Sequence, residues 1–404
     1  MRTSDIRQEF PLLNQQVNGY PLVYLDNAAS TQKPESVLSA IGDYYRSLNS
    51  NVHRGVHHLS QQATSAFEDT REYVRNFMGA SAKEEIIFTR GTTEAVNLLA
   101  ESFSRGILSP ADTVLATVSD HHSNFVPWQQ ACLRSGAKFD VLPVQANGTI
   151  SMELLEEKLR QKPRIVVFPH ISNVLGIVNP VKQITAMAHA YGALVLVDGA
   201  QGIAHCPVNV CDFDCDFYVW SGHKIYGPTG IGVLYGKKAL LEQLPPYQFG
   251  GEMIEEVEWQ QTSFAALPYK FEAGTPAIAE GIALKTALEF VHRVGFDAIG
   301  QHEADLVNHA FEGLKDIEGI EIYGEKTRHS GVISFNVKGV YHYDIGVILD
   351  QMGIAVRTGH HCAQPLMKFL NIPGCVRCSF AIYNTVSEVE YFVESLQKAL
   401  RMLR

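Results

Sequence analysis

Asp216-Phe217-Tyr218-Val219-Trp220-Ser221-Gly222-His223-Lys224 is the stretch from which the fold of this chain is read. An apolar, β-prone run stops at a serine and a glycine and presents an imidazole and an amine. Lys224 lies 26 residues after Asp198, which closes a second run, Ala193-Leu194-Val195-Leu196-Val197, and precedes Gly199-Ala200-Gln201. Working outward, similar runs alternate with helix-like stretches from about Ser81 to Gly236. They are Ile86-Ile87-Phe88, Thr113 to Ala116, Lys138 to Leu142, Arg164 to Phe168 and Ile231 to Tyr235. Aliphatic runs separated by helices read as strands buried on both faces, hence a mainly parallel sheet. In such sheets ligands sit at the carboxyl ends of the strands, where Asp198 and Lys224 both fall.

After about Ala279 the texture changes. A long helix-like stretch, Ala279 to Val294, is followed by more widely spaced strands such as Val332 to Val337. The chain closes on an amphipathic helix from about Ser387 to Leu403, with Val389, Phe392, Leu396 and Leu400 on one face and Ser387/Glu390 as a capping box. The fold class expected is α/β: a large domain with a mainly parallel sheet, residues 21–278, and a smaller α+β domain, residues 279–404. Residues 1–20 form an N-terminal segment that packs with the small domain.

A hydrophobic fraction of 46% and a charged fraction of 19% over 404 residues describe an ordinary globular chain. The formal charge of −10 argues against nucleic acid or an anionic membrane as the main partner. No apolar run reaches the length of a membrane span, and the first ten residues lack a signal-peptide core. A cytoplasmic location with reduced thiols is expected, and seven cysteines, an odd number, fit poorly with a complete disulfide framework.

A lysine able to form an imine and a carboxylate that stays ionised opposite a ring nitrogen are what a pyridoxal phosphate site needs. Taken singly, each residue is equally a surface lysine after a strand and a capping aspartate before a helix; placed on two strand ends, they favour a cofactor site. A phosphate requires several donors in a small volume. Thr93 at the start of a helix-like stretch, Ser221 and His223 are candidates, although Thr92-Thr93-Glu94 alone reads equally as a simple helix cap. There is no Walker A sequence, and Gly227 to Gly236 is not a dinucleotide fingerprint.

The motifs extend over nearly the whole chain: Leu25-Asp26-Asn27-Ala28-Ala29, Asn51 to Gly55, Arg90-Gly91-Thr92-Thr93-Glu94, His121-His122-Ser123-Asn124, Ser172-Asn173, Asp198 to Gln201, Ser221 to Lys224, Gly274-Thr275-Pro276 and Arg357-Thr358-Gly359-His360-His361-Cys362. In this order they resemble the fold-type I pyridoxal phosphate enzymes of the aminotransferase class V superfamily, and within it the SufS/CsdA type (group II) of cysteine desulfurase. The resemblance implies that Lys224 holds the cofactor and moves protons at the substrate α-carbon. Asp198 pairs with the ring nitrogen, Gln201 with the ring's phenolic oxygen, and His121 stacks on the ring and shuttles a proton, a catalytic residue beside Lys224 and Cys362. Thr93, Ser221 and His223 bind the phosphate, and Thr275 reaches the phosphate of a neighbouring subunit, which makes the expected assembly a homodimer. Arg377, with Asn173 and Arg357, takes the substrate α-carboxylate. Asp120 stands where relatives often carry glutamate.

Cys362 decides the reaction. Most free cysteines are inert packing residues, and the other six, including Cys375 and Cys378, are read that way. His360, His361 and Arg357 precede Cys362, neighbours of the kind that favour a thiolate. The implied reaction takes L-cysteine to L-alanine and leaves a persulfide on Cys362. Ala363-Gln364-Pro365-Leu366-Met367 resumes a helical pattern at once, so the cysteine has little slack, which implies a sulfur-accepting partner of the SufE or SufU kind and a role in iron–sulfur cluster assembly. Three rivals stand beside this: a zinc site from His360, His361, Cys362 and the Cys375/Cys378 pair, disfavoured because Arg377 would put a cation beside the metal; a selenocysteine lyase; and a sulfur-trafficking scaffold without catalysis.

Overall fold

The computed structural model describes residues 3–324 and 330–404. Its centre is a seven-stranded sheet of β1 (Ile86–Thr89), β2 (Thr113–Thr117), β3 (Lys138–Leu142), β4 (Ile165–Pro169), β5 (Leu194–Asp198), β6 (Phe217–Ser221) and β7 (Gly232–Gly236), in the spatial order β1-β7-β6-β5-β4-β2-β3. Every pairing is parallel except those of β7, which runs antiparallel to both β1 and β6. The runs read from sequence are therefore the sheet, and their alternation sorts two cores. Phe88, Val166, Phe168, Val195, Val197, Tyr218, Trp220 and Val233 face one. Ile87, Ile165, Val167, Leu196, Phe217, Val219 and Leu234 face the other. Both faces are covered, as continuous apolar runs require.

Helices α1 (Glu35–Asp43) and α2 (His58–Met78) precede the sheet, and α3 (Thr92–Gly106) and α4 (His122–Ser135) follow its first two strands. The long helix foreseen from Ala279 is α5 (Ile278–Val294), which packs on α1 and α2. The smaller unit is a four-stranded sheet of β8 (Ile320–Tyr323), β9 (Val332–Val337), β10 (Arg357–Gly359) and β11 (Cys375–Ser379), in the order β8-β9-β11-β10. Helices α6 (Phe296–Lys315), α7 (His342–Gln351) and α8 (Val386–Leu403) cover it. The last helix begins at Val386, one residue earlier than read from sequence: Thr385 is its cap, and the reciprocal capping box is Thr385/Glu388, not Ser387/Glu390. Both pairs have the same spacing; the extended backbone at Thr385 places its hydroxyl on the Glu388 N–H.

The N-terminal segment ties the units together. Phe10 packs among Tyr226, Phe290 and Tyr383, and Arg7 pairs with Glu388. Just past that segment, Val23 and Leu25 enter the small unit's core, and Val23–Tyr24 pairs in parallel with Ile354–Ala355, although the sequence assigned residues from 21 on to the large domain. No helix among the described residues is long and apolar enough to cross a membrane.

Candidate active site

At the carboxyl ends of β4, β5 and β6 the chain turns into a cavity of about 250 Å³. It brings together Thr93, His121, Asn173, Asp198, Gln201, Ser221, His223, Lys224, Arg357, Cys362 and Arg377. Eleven of the twelve residues singled out from sequence thus share one space. Thr275 does not: it is exposed and lines a second cavity with Arg90, Glu94 and Tyr247.

One end of the cavity is built for an anion. Gly91, at φ +149°, joins β1 to α3, and Gly232 of β7 lies so close that a Cβ there would stand 2.5 Å from the Gly91 Cα. Two glycines therefore bring the first turn of α3 against the end of β6. The Thr92 N–H and hydroxyl both reach Ser221 Oγ at 2.8 Å. Burial, with Lys224 and Lys33 nearby, holds His223 down to about 4, so its ring is neutral.

Across the cavity, the Asp198 Oδ1 accepts the Ala200 N–H at 2.9 Å. Burial raises this carboxyl above its ordinary range, against the Ala200 N–H and Lys224; a cation facing it would keep it ionised. Burial pulls Lys224 down to about 8, with Asp198 opposing, and its amine has no hydrogen-bond or ion-pair partner among the described residues. Gln201 donates to the Ala28 carbonyl at 2.8 Å. His121 caps α4: its Nδ1 accepts the Ser123 N–H at 3.0 Å, which leaves the proton of the neutral ring on Nε2. Burial, then Lys224, holds it neutral down to about 3. Asp120 fixes this turn by accepting from Thr117 and Asn124.

The other end is cationic. Arg377 is fully buried on β11; its Nη1 donates to the Asn173 carbonyl at 3.0 Å and its Nη2 to Asp26 Oδ1 at 3.1 Å, while its Nε has no partner among the described residues. Arg357 grips the same Asp26 carboxylate through Nε and Nη2, at 2.9–3.1 Å. Asp26 stood in a quoted motif without a role, because nothing local in the sequence relates it to residues 331 and 351 positions away.

Cys362 is exposed at the rim on a tightly held turn. His361 and Cys362 have φ of +51° and +54°, conformations that non-glycine residues rarely adopt. The turn is pinned by His122 N–H to the Cys362 carbonyl at 2.7 Å, by the Asn173 amide to the His361 carbonyl at 2.8 Å, and by His361 Nε2 to the Cys375 carbonyl at 3.0 Å. The little slack read from sequence is thus a network of bonds. Two neighbours expected to support the thiol are engaged elsewhere: burial holds His361 neutral, down to about 3, and Asp26 holds Arg357. Cys375 and Cys378 are buried in different apolar clusters on opposite faces of β11, so they do not converge on one point. Among the described residues no three His, Cys, Asp or Glu gather as metal ligands do.

The aminotransferase class-V family model matches residues 23–392. The chain belongs to that family. It is 49% identical over 398 residues to a probable cysteine desulfurase of Halalkalibacterium halodurans and 48% identical over 399 residues to a cysteine desulfurase of Serratia proteamaculans, each match covering 98% of both chains. Among solved structures it resembles an apo cysteine desulfurase from Thermococcus onnurineus (TM-score 0.95, 38% identical, covering 100% of this chain and 99% of that one). It equally resembles the S-sulfonic acid form of the cysteine desulfurase CsdA from Escherichia coli (TM-score 0.93, 38% identical, 100% of both). The class-V match and these full-length superpositions bear out the fold-type I architecture and the likeness to CsdA-type desulfurases.

Class-V desulfurases use pyridoxal phosphate, and the donor set here fits it. An unpartnered lysine and a buried carboxylate face one cavity, and a helix N-terminus with hydroxyls and a neutral imidazole closes one end.

Proposed function

We propose that this protein is a pyridoxal phosphate-dependent cysteine desulfurase that converts L-cysteine to L-alanine and carries the released sulfur as a persulfide on Cys362. The observation that carries the reading is Cys362 itself, exposed on a pinned turn at the rim of the cavity that holds Lys224, Asp198 and Arg377.

When bound, the cofactor supplies an electron sink for the substrate α-carbon. Lys224 would hold it and, as a neutral amine, would take the α-proton and return protons to carbon. Asp198 stays ionised opposite the ring nitrogen. Thr93, Ser221, His223 and the α3 N-terminus would hold the phosphate, Gln201 the phenolic oxygen, and His121, its Nδ1 engaged by Ser123, would cover the ring. Arg377 takes the α-carboxylate, aided by Asn173, whose amide also holds the Cys362 turn. Cys362 attacks the substrate sulfur: an S–S bond forms, the C–S bond breaks with its electron pair left on carbon, and that carbon is protonated to give alanine. A fixed turn keeps the two sulfurs together, an advantage that in well-oriented pairs reaches about 7–11 kcal/mol.

The exposed thiol on a short turn suits a dedicated acceptor that comes to the rim, of the SufE or SufU kind, with iron–sulfur cluster assembly as the destination. Thr275, outside the cavity on an exposed turn, suits a homodimer in which each copy completes the other's phosphate site. The test is to add L-cysteine without reductant and measure intact mass and alanine. One extra sulfur on Cys362 with about one alanine per site is expected, and Cys362→Ala should keep the cofactor but release no sulfur. Turnover undiminished in that variant would refute the persulfide route. Alanine without the adduct would point to the lyase, and neither product to the scaffold.

A further inference from the structure

The carbonyl of His223, which belongs to the peptide bond leading into Lys224, is crowded with donors from residues 30–33. Ser30 Oγ stands at 3.2 Å, Thr31 N–H at 3.1 Å, Thr31 Oγ1 at 3.2 Å and Lys33 Nζ at 3.0 Å. Lys33 spends its remaining contacts on the Thr31 carbonyl and Ser30 Oγ, and has no carboxylate partner among the described residues. A half-buried ammonium with only neutral acceptors is costly, and burial accordingly pulls Lys33 down to about 8. Thr31 Oγ1 also accepts the Tyr226 N–H at 2.8 Å, holding that residue at φ +61°. Both sides of Lys224 are thus fixed by residues 30–33. The same strap carries Asp26 on Arg357 and Arg377, so it runs from the cationic end of the cavity to the lysine.

We propose that Lys33, with Ser30 and Thr31, is a positioning residue for Lys224: its ammonium on the His223 carbonyl fixes the plane of the 223–224 peptide and so aims both the Lys224 amine and the His223 ring. A peptide plane is rigid, so anchoring its oxygen sets the direction in which the next side chain leaves the backbone. A cation on that oxygen anchors it more strongly than a neutral donor. The positive charge also helps to keep the His223 imidazole neutral. This inference rests on the reading of Lys224 as the cofactor lysine.

The test strips and reloads the full-length protein, comparing wild type with Lys33→Met, Lys33→Arg and Thr31→Val after checking each by thermal unfolding. Two quantities are read: the rate at which added pyridoxal phosphate becomes covalently attached to Lys224, from its visible absorption and the borohydride-fixed mass of the Lys224 peptide, and the inhibition of that uptake by inorganic phosphate. Lys33→Met should attach about tenfold more slowly, the weight of one charge-assisted hydrogen bond, and Lys33→Arg should recover most of the rate. Phosphate inhibition should weaken by a smaller factor than attachment slows, since the His223 ring loses its anchor while α3 and Ser221 are untouched. Wild-type attachment rates in folded Lys33→Met would overturn the inference; if that variant does not fold, wild-type rates in Thr31→Val would do so. A wild type that attaches nothing to Lys224 would instead overturn the cofactor reading.

Discussion

Asp26→Asn separates the two uses of the buried arginines. In the resting protein Asp26 is the anion that Arg377 and Arg357 share, with Arg377 fully buried and Arg357 half exposed. A substrate carboxylate arriving on the other edge of Arg377 meets that negative charge at roughly 6–8 Å, a repulsion of about 2 kcal/mol at an effective dielectric near 20. Asparagine keeps an oxygen acceptor for Arg377 and removes the charge. Amino-acid binding should therefore tighten by about tenfold to thirtyfold, less at high salt. Stability should fall in return by about 1–3 kcal/mol, the difference between charged and neutral hydrogen bonds at a buried guanidinium. Titration of the holoenzyme with L-alanine, followed by cofactor absorption, reads the first, and urea unfolding the second. Unchanged or weaker alanine binding in a folded Asp26→Asn protein would refute the idea that Asp26 and the substrate share the cations.

Other consequences follow from the same geometry. Covalent uptake of pyridoxal phosphate by Lys224 needs the neutral amine, so its rate should rise with pH through about 8 and level off above; a midpoint near the ordinary lysine value would contradict the burial argument. Arg71, fully buried, is forked onto Glu272 at 2.6 and 2.9 Å and also bonds Glu68 and the Ile86 carbonyl. Arg71→Met should cost about 3–5 kcal/mol in urea unfolding by stranding Glu272, whereas Arg46→Ala, from an exposed pair, should cost under about 1. Gly232→Ala drives a methyl onto the Gly91 backbone and should weaken inorganic phosphate binding more than it weakens L-alanine binding; equal losses would count against α3 as the phosphate end.

The strands, their burial on both faces and the position of Asp198 and Lys224 at strand ends were legible in the sequence. Hydrophobic periodicity is local, and a parallel sheet obliges its ligand site to lie at the carboxyl ends. The match of Thr93, Ser221 and Cys362 to a family pattern needed only order along the chain. Capping was less secure, because Thr385/Glu388 and Ser387/Glu390 satisfy one rule equally and only the backbone angles at Thr385 choose between them. Asp26, Lys33 and the pinning of the Cys362 turn by Asn173 and His122 were decided by tertiary structure alone. Their partners lie between 188 and 351 residues away along the chain. Charge and hydrogen bonding act through space, over a few ångströms, so residues that share an arginine or a carbonyl leave no periodic mark in the sequence that brings them together.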